Sequence, residues 1–374
     1  MFDVAAMRLT LTGLAPATVV RPGPPPRRRP RVSVVIPCYN YGHYLRSCVD
    51  SVLSQPGVEV DVLIVDDASP DGSASVVREI AAADDRVRAI CHDRNRGHIA
   101  TYNEGLSQVD GDYVVLLSAD DLLTPSSLAR ATAVLEQHPE VGLVYGRAVA
   151  FSADELPPAR TTATSWTLWR GPDWLTDRCR TGRNPLRSPE AVMRTSVLRA
   201  VGGYNPELPH AGDLEMWMRA ATVSDVAFVG GADQAYYREH AANMHLTSFQ
   251  GGDPKGVLVD LAERTACFDS VLGGDPRWRA LHDLSRRTLA REALTYAVRS
   301  FEWGKAESWP VDELAAFAAD TCPRPALAPL WRALALRRRV GARRSRRHPL
   351  FLPGEQVHKV RARVAHRRWQ QAGI

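Results

Sequence analysis

The chain has 374 residues, which suggests roughly two to three domains of ordinary size. Its 45% apolar and 24% charged residues exclude wholesale disorder, and no apolar run reaches the ~18 residues that a membrane-spanning helix needs. The net charge of +5 is uneven, because residues 1–31 carry +5 and residues 331–374 carry +12, which leaves −12 for residues 32–330. We therefore expect an acidic body between two basic ends.

The cysteines and the first residues indicate a compartment. Six cysteines are scattered without a C-x-x-C pair, which argues against a zinc ribbon or a disulfide scaffold and favours a reducing environment. Residues 1–30 lack the basic start, the continuous apolar core and the cleavage site of a signal peptide. We expect a cytoplasmic protein, and its basic ends would suit a peripheral position at the inner face of the membrane.

In chain order, residues 1–30 are expected to be a disordered Pro- and Arg-rich segment, because residues 20–31 cannot pack a core. Short apolar runs then predict strands at 32–36, 60–65, 87–91 and 113–117, with helices at 44–53, 74–83 and 101–108 between them. Four strands that alternate with helices predict an α/β fold with a mostly parallel, Rossmann-like sheet.

The second half of the chain is less regular. A helix and a strand (141–149) are expected within 126–150, irregular chain over 151–187, and strand, turn and strand over 226–240. Trp166, Trp169 and Trp174 in the irregular stretch could stack on a sugar or anchor the core. Helical stripes predict a helical extension over 251–330, followed by a basic tail over 331–374.

Polar residues follow three of the predicted strands: the segment 37–40, Asp66-Asp67 and Asp120-Asp121. In open α/β sheets, ligands bind at the carboxyl edge where these residues would meet. Paired carboxylates repel each other and favour a nearby cation, and Mg²⁺ or Mn²⁺ bridging a diphosphate would suit Asp120-Asp121. The alternative is plain turn chemistry, which we favour for Asp71 and Gly72.

These segments resemble family 2 glycosyltransferases, which have the GT-A fold. The resemblance covers about residues 31–250. Its first part rests on RVSVVIPCYN (31–40), IVDDAS (64–69), the ladder NRG (95–97), NEG (103–105) and GDY (111–113), and LSADD (117–121). Its later part rests on VGGYN (201–205) and AGDLEMWMR (211–219). Each segment alone is weak, whereas their common order is specific.

The resemblance implies the roles of the first group of residues. Pro37 and Tyr39 would line the nucleotide pocket, Asp67 would read a uracil or thymine edge, Asp120 would bind ribose, and Asp121 would bind a divalent metal, Mn²⁺ or Mg²⁺. Asn40, Asn95 and Gly97 are expected at the same nucleotide site. Ser118 stands where the family's D-x-D begins with Asp, which weakens the first ligand position.

The resemblance also assigns residues after position 200. Gly202, Gly203 and Tyr204 would shape the donor-sugar pocket, and Asp213 would be the catalytic base, with Gly212 where Glu is common. The alternative for Asp213 is an ordinary helix N-cap. Glu215, two residues on, is expected to be solvated.

The end of the last predicted strand, YYREH (236–240), followed by Asn243 and His245, resembles the family's Y-R-x-H-x-x-N ending. His240 would complete the metal shell or have a structural role. Arg238 would pair with a phosphate or with an acid of the body.

The resulting hypothesis is an inverting glycosyltransferase that uses a nucleotide sugar, a UDP-sugar, and an acceptor hydroxyl of a glycan or lipid-linked glycan. The Arg clusters after residue 336 would bind anionic lipid, bind nucleic acid non-specifically, or form a solvated tail. Two other classes stay open: a catalytically idle nucleotide-binding or scaffolding protein, and a nucleic-acid-binding protein. We expect no specific nucleic-acid partner.

Overall fold

Eleven strands form one mixed sheet in the computed structural model, which describes residues 7–8, 17–26, 28–152, 155–240, 243 and 254–345. The strands are β1 (Met7–Arg8), β2 (Ala17–Val20), β3 (Arg31–Cys38), β4 (Glu59–Asp66), β5 (Val87–Cys91), β6 (Tyr113–Leu116), β7 (Leu122–Leu123), β8 (Val141–Phe151), β9 (Ser165–Trp169), β10 (Val192–Arg194) and β11 (Asp225–Arg238). Their order in the sheet is β1-β2-β9-β11-β8-β10-β6-β3-β4-β5, and β7 pairs with β11.

The predicted parallel core of the sheet is confirmed. Strands β4 and β6 lie on either side of β3, β5 follows β4, and all of these pairs are parallel. Val34 and Ile36 of β3 and Ile64 of β4 are fully buried, as the continuous apolar runs of a strand covered on both faces require. The carboxyl ends of β3, β4 and β6 therefore meet at one edge.

Seven helices accompany the sheet in sequence: α1 (Gly42–Leu53), α2 (Ser73–Ala83), α3 (His98–Ser107), α4 (Ser127–Gln137), α5 (Gly171–Thr181), α6 (Thr195–Val201) and α7 (Gly212–Val223). Helix α3 packs very closely on the sheet, since a Cβ at Gly105 would lie 2.3 Å from Val35 Cγ1. The second glycine of the sequence ladder is thus required by helix–strand packing.

Part of the N-terminal segment is ordered, so the expectation of disorder over 1–30 is wrong there. Residues Ala17–Val20 form β2, which pairs antiparallel with β9. Thr18, Val19 and Val20 are β-branched and suit a strand, and an unpaired edge such as that of β9 readily accepts one. Arg28 lies 2.8 Å from Asp112 and 2.6 Å from Glu136.

Two predictions for the second half of the sheet are also wrong. The stretch 151–187 contains β9 and α5, and Trp166, Trp169 and Trp174 are buried, which confirms their role as core anchors. Residues 225–238 form one strand instead of strand, turn and strand. Gly231 has a φ of 86°, and the register against β8 shifts between Phe228 and Asp233, so the Gly-Gly pair marks an irregularity within the strand.

The chain divides into two compact units, and the second contains residues 176–183 and the described residues after 240. Its helices are Pro254–Leu272, Arg279–Glu302, Val311–Thr321, Ala328–Val340 and Ala342–Ser345, which confirms the helical C-terminal extension. Arg264 lies 2.8 Å from the carbonyl oxygen of Gly182 and 3.0 Å from Glu292. No helix among the described residues is long and apolar enough to cross a membrane.

The basic tail is only partly described. Arg337 is buried and lies 2.6 Å from Glu302, so this arginine is a structural residue and is not available to a lipid surface. Arg338 forms an ion pair with Asp312. Residues 346–374, which hold the rest of the predicted basic tail, lie outside the described residues.

Candidate active site

The loop that follows β5 wraps around the carboxylate of Asp67. The backbone N–H groups of Arg96 and Gly97 donate to it at 2.8 and 2.9 Å, and Gly97 also donates to Asn95 Oδ1 at 3.0 Å. Gly97 has a φ of 85°, a conformation that favours glycine. This loop therefore brings Asn95 and Gly97 beside Asp67.

Two groups near Asp67 were missed by sequence reasoning, namely His92 and Glu104. His92 Nδ1 lies 2.7 Å from Asp67 Oδ1, and its Nε2 lies 2.9 Å from Glu104 Oε2. Burial acts to raise the pKa of Asp67, but the Arg96 amide, His92 and the Gly97 amide outweigh it, so the pKa of Asp67 is lowered. Asp67 is held as an anion.

The other acidic residues after β4 form turns. Asp66 accepts hydrogen bonds from the amide and the hydroxyl of Ser69, and Asp71 accepts one from the amide of Ser73. This confirms turn chemistry for Asp71 and extends it to Asp66. The carboxylate of Asp67 accepts from the loop after β5, whereas the carboxylate of Asp66 accepts from Ser69.

The residues that follow β3 include two groups suited to a ligand. Tyr39 is 45% exposed, directly after the end of β3. Asn40 has a φ of 61°, its N–H donates to Ser69 Oγ at 3.0 Å, and its buried Oδ1 has no hydrogen-bond partner within the described parts of the chain. An unpaired buried acceptor is costly unless a ligand or water supplies a donor. Pro37 is half-buried and lies opposite Val65 in the sheet.

The two acidic residues after β6, Asp120 and Asp121, have different hydrogen-bond partners. His240 Nε2 lies 3.0 Å from Asp120 Oδ2, whereas Asp121 Oδ1 accepts the N–H of Arg238 at 2.9 Å. Burial, and then the charge of Asp120, raise the pKa of Asp121 well above its ordinary range. A cation or donor beside this pair would relieve that repulsion.

Aromatic rings surround His240 and Arg238. The His240 ring lies 5.4 Å from the ring of Tyr41 and 5.8 Å from that of Tyr44, measured between centroids. The Arg238 guanidinium lies over the rings of Tyr44 and Phe151, and its Nε donates to the carbonyl oxygen of Asp120. Arg238 therefore contacts the Asp120-Asp121 segment and fixes its position.

Asp213 lies in the first turn of α7 with both carboxylate oxygens engaged. Tyr204 Oη donates to Oδ1 at 2.9 Å, and Ser188 Oγ donates to Oδ2 at 2.7 Å. Asp213 is not the N-cap of α7, because the preceding Ala211 holds that position and no side chain caps the helix. Burial raises the pKa of Asp213, although the two hydroxyl donors act in the opposite direction.

The Gly202-Gly203-Tyr204 loop is held from two sides. The Asn103 side chain accepts the N–H of Tyr204 at 2.6 Å and donates to its carbonyl oxygen at 2.8 Å. Arg219 donates to the carbonyl oxygen of Gly203 at 2.6 Å, and Glu215 lies 2.8 Å from Arg219. Glu215 is buried, so its predicted solvation is wrong: the carboxylate neutralises the arginine that holds this loop.

Tyr102 connects the two acidic centres. Burial, and then the charges of Asp213, Asp120 and Asp121, raise the pKa of the Tyr102 hydroxyl. The Tyr102 ring also packs edge-on against Tyr204, with 5.5 Å between ring centroids. The carboxylates that follow β6 and the carboxylate of α7 therefore all act electrostatically on one side chain.

A family model supports the resemblance noted in the sequence. Residues 33–202 match the model described as glycosyl transferase family 2, a span that runs from β3 through the Asp67 loop and Asp120-Asp121 to the first glycine of the Gly-Gly-Tyr loop. The chain contains a family 2 glycosyltransferase domain.

Curated relatives agree with this assignment of the glycosyltransferase domain. The chain is 28% identical over 301 residues to an uncharacterized glycosyltransferase of Nostoc sp., a match that covers 76% of this chain and 88% of the relative. It is 25% identical over 201 residues to an uncharacterized glycosyltransferase of Haemophilus influenzae, covering 53% of this chain and 62% of the relative.

Solved structures agree on the fold of the glycosyltransferase. TarS of S. aureus in complex with UDP superposes with a TM-score of 0.54 at 17% identity, covering 82% of this chain and 87% of that one. The mannosyltransferase PcManGT from Pyrobaculum calidifontis, in complex with GDP-Man and Mn²⁺, gives 0.50 at 22% identity, covering 84% and 82%. The GT-A fold expected from the sequence is confirmed.

Proposed function

We propose that this glycosyltransferase is an inverting enzyme that moves a sugar from a nucleoside-diphosphate sugar, a UDP-sugar, to a hydroxyl group of a glycan or lipid-linked glycan. The observation that supports the proposal most directly is the setting of Asp213, a carboxylate that accepts hydrogen bonds from Tyr204 and Ser188 and whose pKa is raised by burial. A general base works best when its pKa is shifted toward the working pH.

The proposed reaction needs a carboxylate that removes a proton and a diphosphate that leaves. Asp213 takes the proton of the acceptor hydroxyl while the hydroxyl oxygen attacks the anomeric carbon. The bond from that carbon to the diphosphate oxygen breaks on the opposite face. The electron pair of that bond leaves with the nucleoside diphosphate. Tyr204 and Ser188 orient the Asp213 carboxylate by donating to its two oxygens.

We place the nucleotide at the carboxyl ends of β3 and β4. Tyr39 offers an exposed ring for stacking, and Asn40 Oδ1 offers an acceptor without a partner among the described residues. Asp67, fixed as an anion by the loop that carries Asn95 and Gly97, would accept an N–H of the base. The similar structures TarS, in complex with UDP, and PcManGT, in complex with GDP-Man, support a nucleotide-sugar donor.

Asp120 and His240 would hold a divalent cation, Mn²⁺ or Mg²⁺, since carboxylate oxygen and imidazole nitrogen are suitable ligands for Mn²⁺. Asp120 Oδ2 and His240 Nε2 lie 3.0 Å apart, whereas Asp121 Oδ1 accepts the N–H of Arg238. This geometry favours Asp120 over Asp121 as the direct ligand. The described residues contain no group of three or more His, Cys, Asp or Glu side chains that could hold a metal, so diphosphate oxygens and water would complete the shell.

When bound, such a cation would offset the negative charge that develops on the departing diphosphate. Asp121 would then support the two ligands without binding the cation directly, since its carboxylate already accepts the backbone N–H of Arg238. We also propose a contact between the basic tail and anionic lipid, which the charge of +12 over residues 331–374 supports.

The test is a binding and turnover experiment on the full chain. We expect UDP to raise the melting temperature of the wild type, and to raise it further with Mn²⁺. We expect Asp213→Asn to abolish transfer, because Asn keeps the shape of the side chain but cannot accept the proton. The UDP affinity of this variant should stay within about twofold of wild type. Transfer retained by Asp213→Asn would remove Asp213 from the mechanism. UDP binding by the wild type without turnover of any UDP-sugar would instead favour the idle nucleotide-binding protein.

A further inference from the structure

A closed ring of hydrogen-bonded groups includes the carboxylate of Asp67. Asp67 contacts His92 Nδ1 at 2.7 Å, His92 Nε2 contacts Glu104 at 2.9 Å, and Glu104 contacts the Arg96 guanidinium at 3.0 Å. The ring closes because the backbone N–H of Arg96 donates to Asp67 Oδ1 at 2.8 Å. The His92 side chain is 1% exposed and the Asp67 side chain 4%. We refer to these four residues together as the His92 ring, a name that does not mean the imidazole ring of His92.

We propose that His92 is a positioning residue that, together with Glu104, fixes the Asp67 carboxylate as a pure hydrogen-bond acceptor toward the nucleobase. This inference rests on the proposed nucleotide-sugar function. The Asp67 carboxylate only accepts, so His92 Nδ1 donates to it, while His92 Nε2 lies against the carboxylate of Glu104. His92 therefore cannot rotate without breaking one of two charge-assisted bonds in a buried place.

The hydrogen bonds that the Asp67 carboxylate already accepts determine how many acceptor positions it has left for a ligand. A carboxylate offers about four acceptor positions. The groups His92 Nδ1 and Arg96 N fill two at Oδ1, and Gly97 N fills one at Oδ2. One position at Oδ2 is left for a ligand, and since every neighbour of Asp67 donates, the carboxylate can only accept from that ligand.

This arrangement selects a class of base. Uracil presents a ring N–H between its two carbonyl groups, and guanine presents a ring N–H beside an amino group, so both can donate to a fixed carboxylate. Cytosine and adenine have an unprotonated ring nitrogen at the equivalent position, whose lone pair would face the anion. We therefore expect UDP and GDP to bind more tightly than CDP and ADP. Without the His92 ring, Asp67 could turn away from the base and this discrimination would fall.

The experiment measures dissociation constants of the full-length protein for UDP and CDP by calorimetry, with His92→Gln and Glu104→Gln as variants. For the wild type we expect CDP to bind at least about tenfold more weakly than UDP. Either variant is expected to weaken UDP binding about tenfold, the size of one charge-assisted bond, and to bring the CDP-to-UDP ratio below about three. Glu104 is partly exposed, so Glu104→Gln decides the matter if His92→Gln does not fold.

His138→Gln is the matched control, because His138 also contacts a carboxylate, Glu140, at 3.2 Å, yet belongs to neither the His92 ring nor the nucleotide site. Its UDP affinity and base ratio should equal those of the wild type. A folded variant of the His92 ring that keeps the wild-type UDP affinity and base ratio would overturn the proposal, as would lower thermal stability with an unchanged ratio, which indicates a merely structural role. A wild type that binds no nucleoside diphosphate would instead refute the proposed function.

Discussion

The two hydroxyl donors on Asp213 allow a quantitative test of its role as a base. Tyr204→Phe removes the 2.9 Å bond to Oδ1 and leaves the Ser188 bond to Oδ2 in place. A hydrogen bond to a charged group is worth about 1.5–3 kcal/mol. Because the lost bond stabilised the anion, the pKa of Asp213 should rise further in the variant.

The assay is the pH dependence of kcat/KM for UDP release from a UDP-sugar in the presence of acceptor. Asp213 must be ionised to accept a proton, so a higher pKa moves the acidic limb of the profile to higher pH and leaves the plateau nearly unchanged. Ser188→Ala should move it in the same direction. Tyr113→Phe is the control, since Tyr113 donates to the carboxylate of Glu136 at 2.7 Å, a bond that Asp213 does not share. An acidic limb that stays in place in Tyr204→Phe would refute Asp213 as the titrating base.

Three further perturbations test the metal, the packing and the electrostatics. Asp120→Asn and His240→Ala should each remove the gain in UDP affinity that Mn²⁺ confers, measured by calorimetry, because each removes one of the two proposed ligands. Gly105→Ala should lower the free energy of unfolding in urea by about 1–3 kcal/mol, because the new Cβ would lie 2.3 Å from Val35 Cγ1. Burial raises the pKa of Glu190 to about 8 from an ordinary value of 4.5, so stability should fall as pH rises between these values, and Glu190→Gln should flatten the melting temperature over that range.

Each of these predictions has a control and a contrary outcome. Asp110→Asn, at an exposed carboxylate, should keep the Mn²⁺ effect, and an Asp120→Asn variant that also keeps it would exclude the ligand pair. Gly274→Ala should be neutral, because no atom lies within 4 Å of its added Cβ. Glu155→Gln, at an exposed position, should leave the pH dependence intact. A wild-type melting temperature that is constant from pH 5 to 8 would contradict the buried, neutral Glu190.

The parallel core and the helices around it were predictable because their signals are local. The runs 32–36, 60–65 and 87–91 are apolar and end in turn residues, and the strands follow them to within about two residues. The Gly-Gly pair at 230–231 gave the same local signal as a turn, yet it lies within β11. The pairing of β11 with β8 on one side and β9 on the other keeps the strand continuous there, and no local pattern contains that information.

The sequence alone determined which residues gather at the carboxyl edge of the sheet, since strand ends and their polar residues are fixed by short-range periodicity. Only the tertiary structure decided what each of them does. Asp120, and not Asp121, meets His240 from 120 positions away, and Tyr204 and Ser188 meet Asp213. The partners of a carboxylate, and hence its pKa, depend on the direction of side chains brought together by folding, which residue type and spacing do not encode.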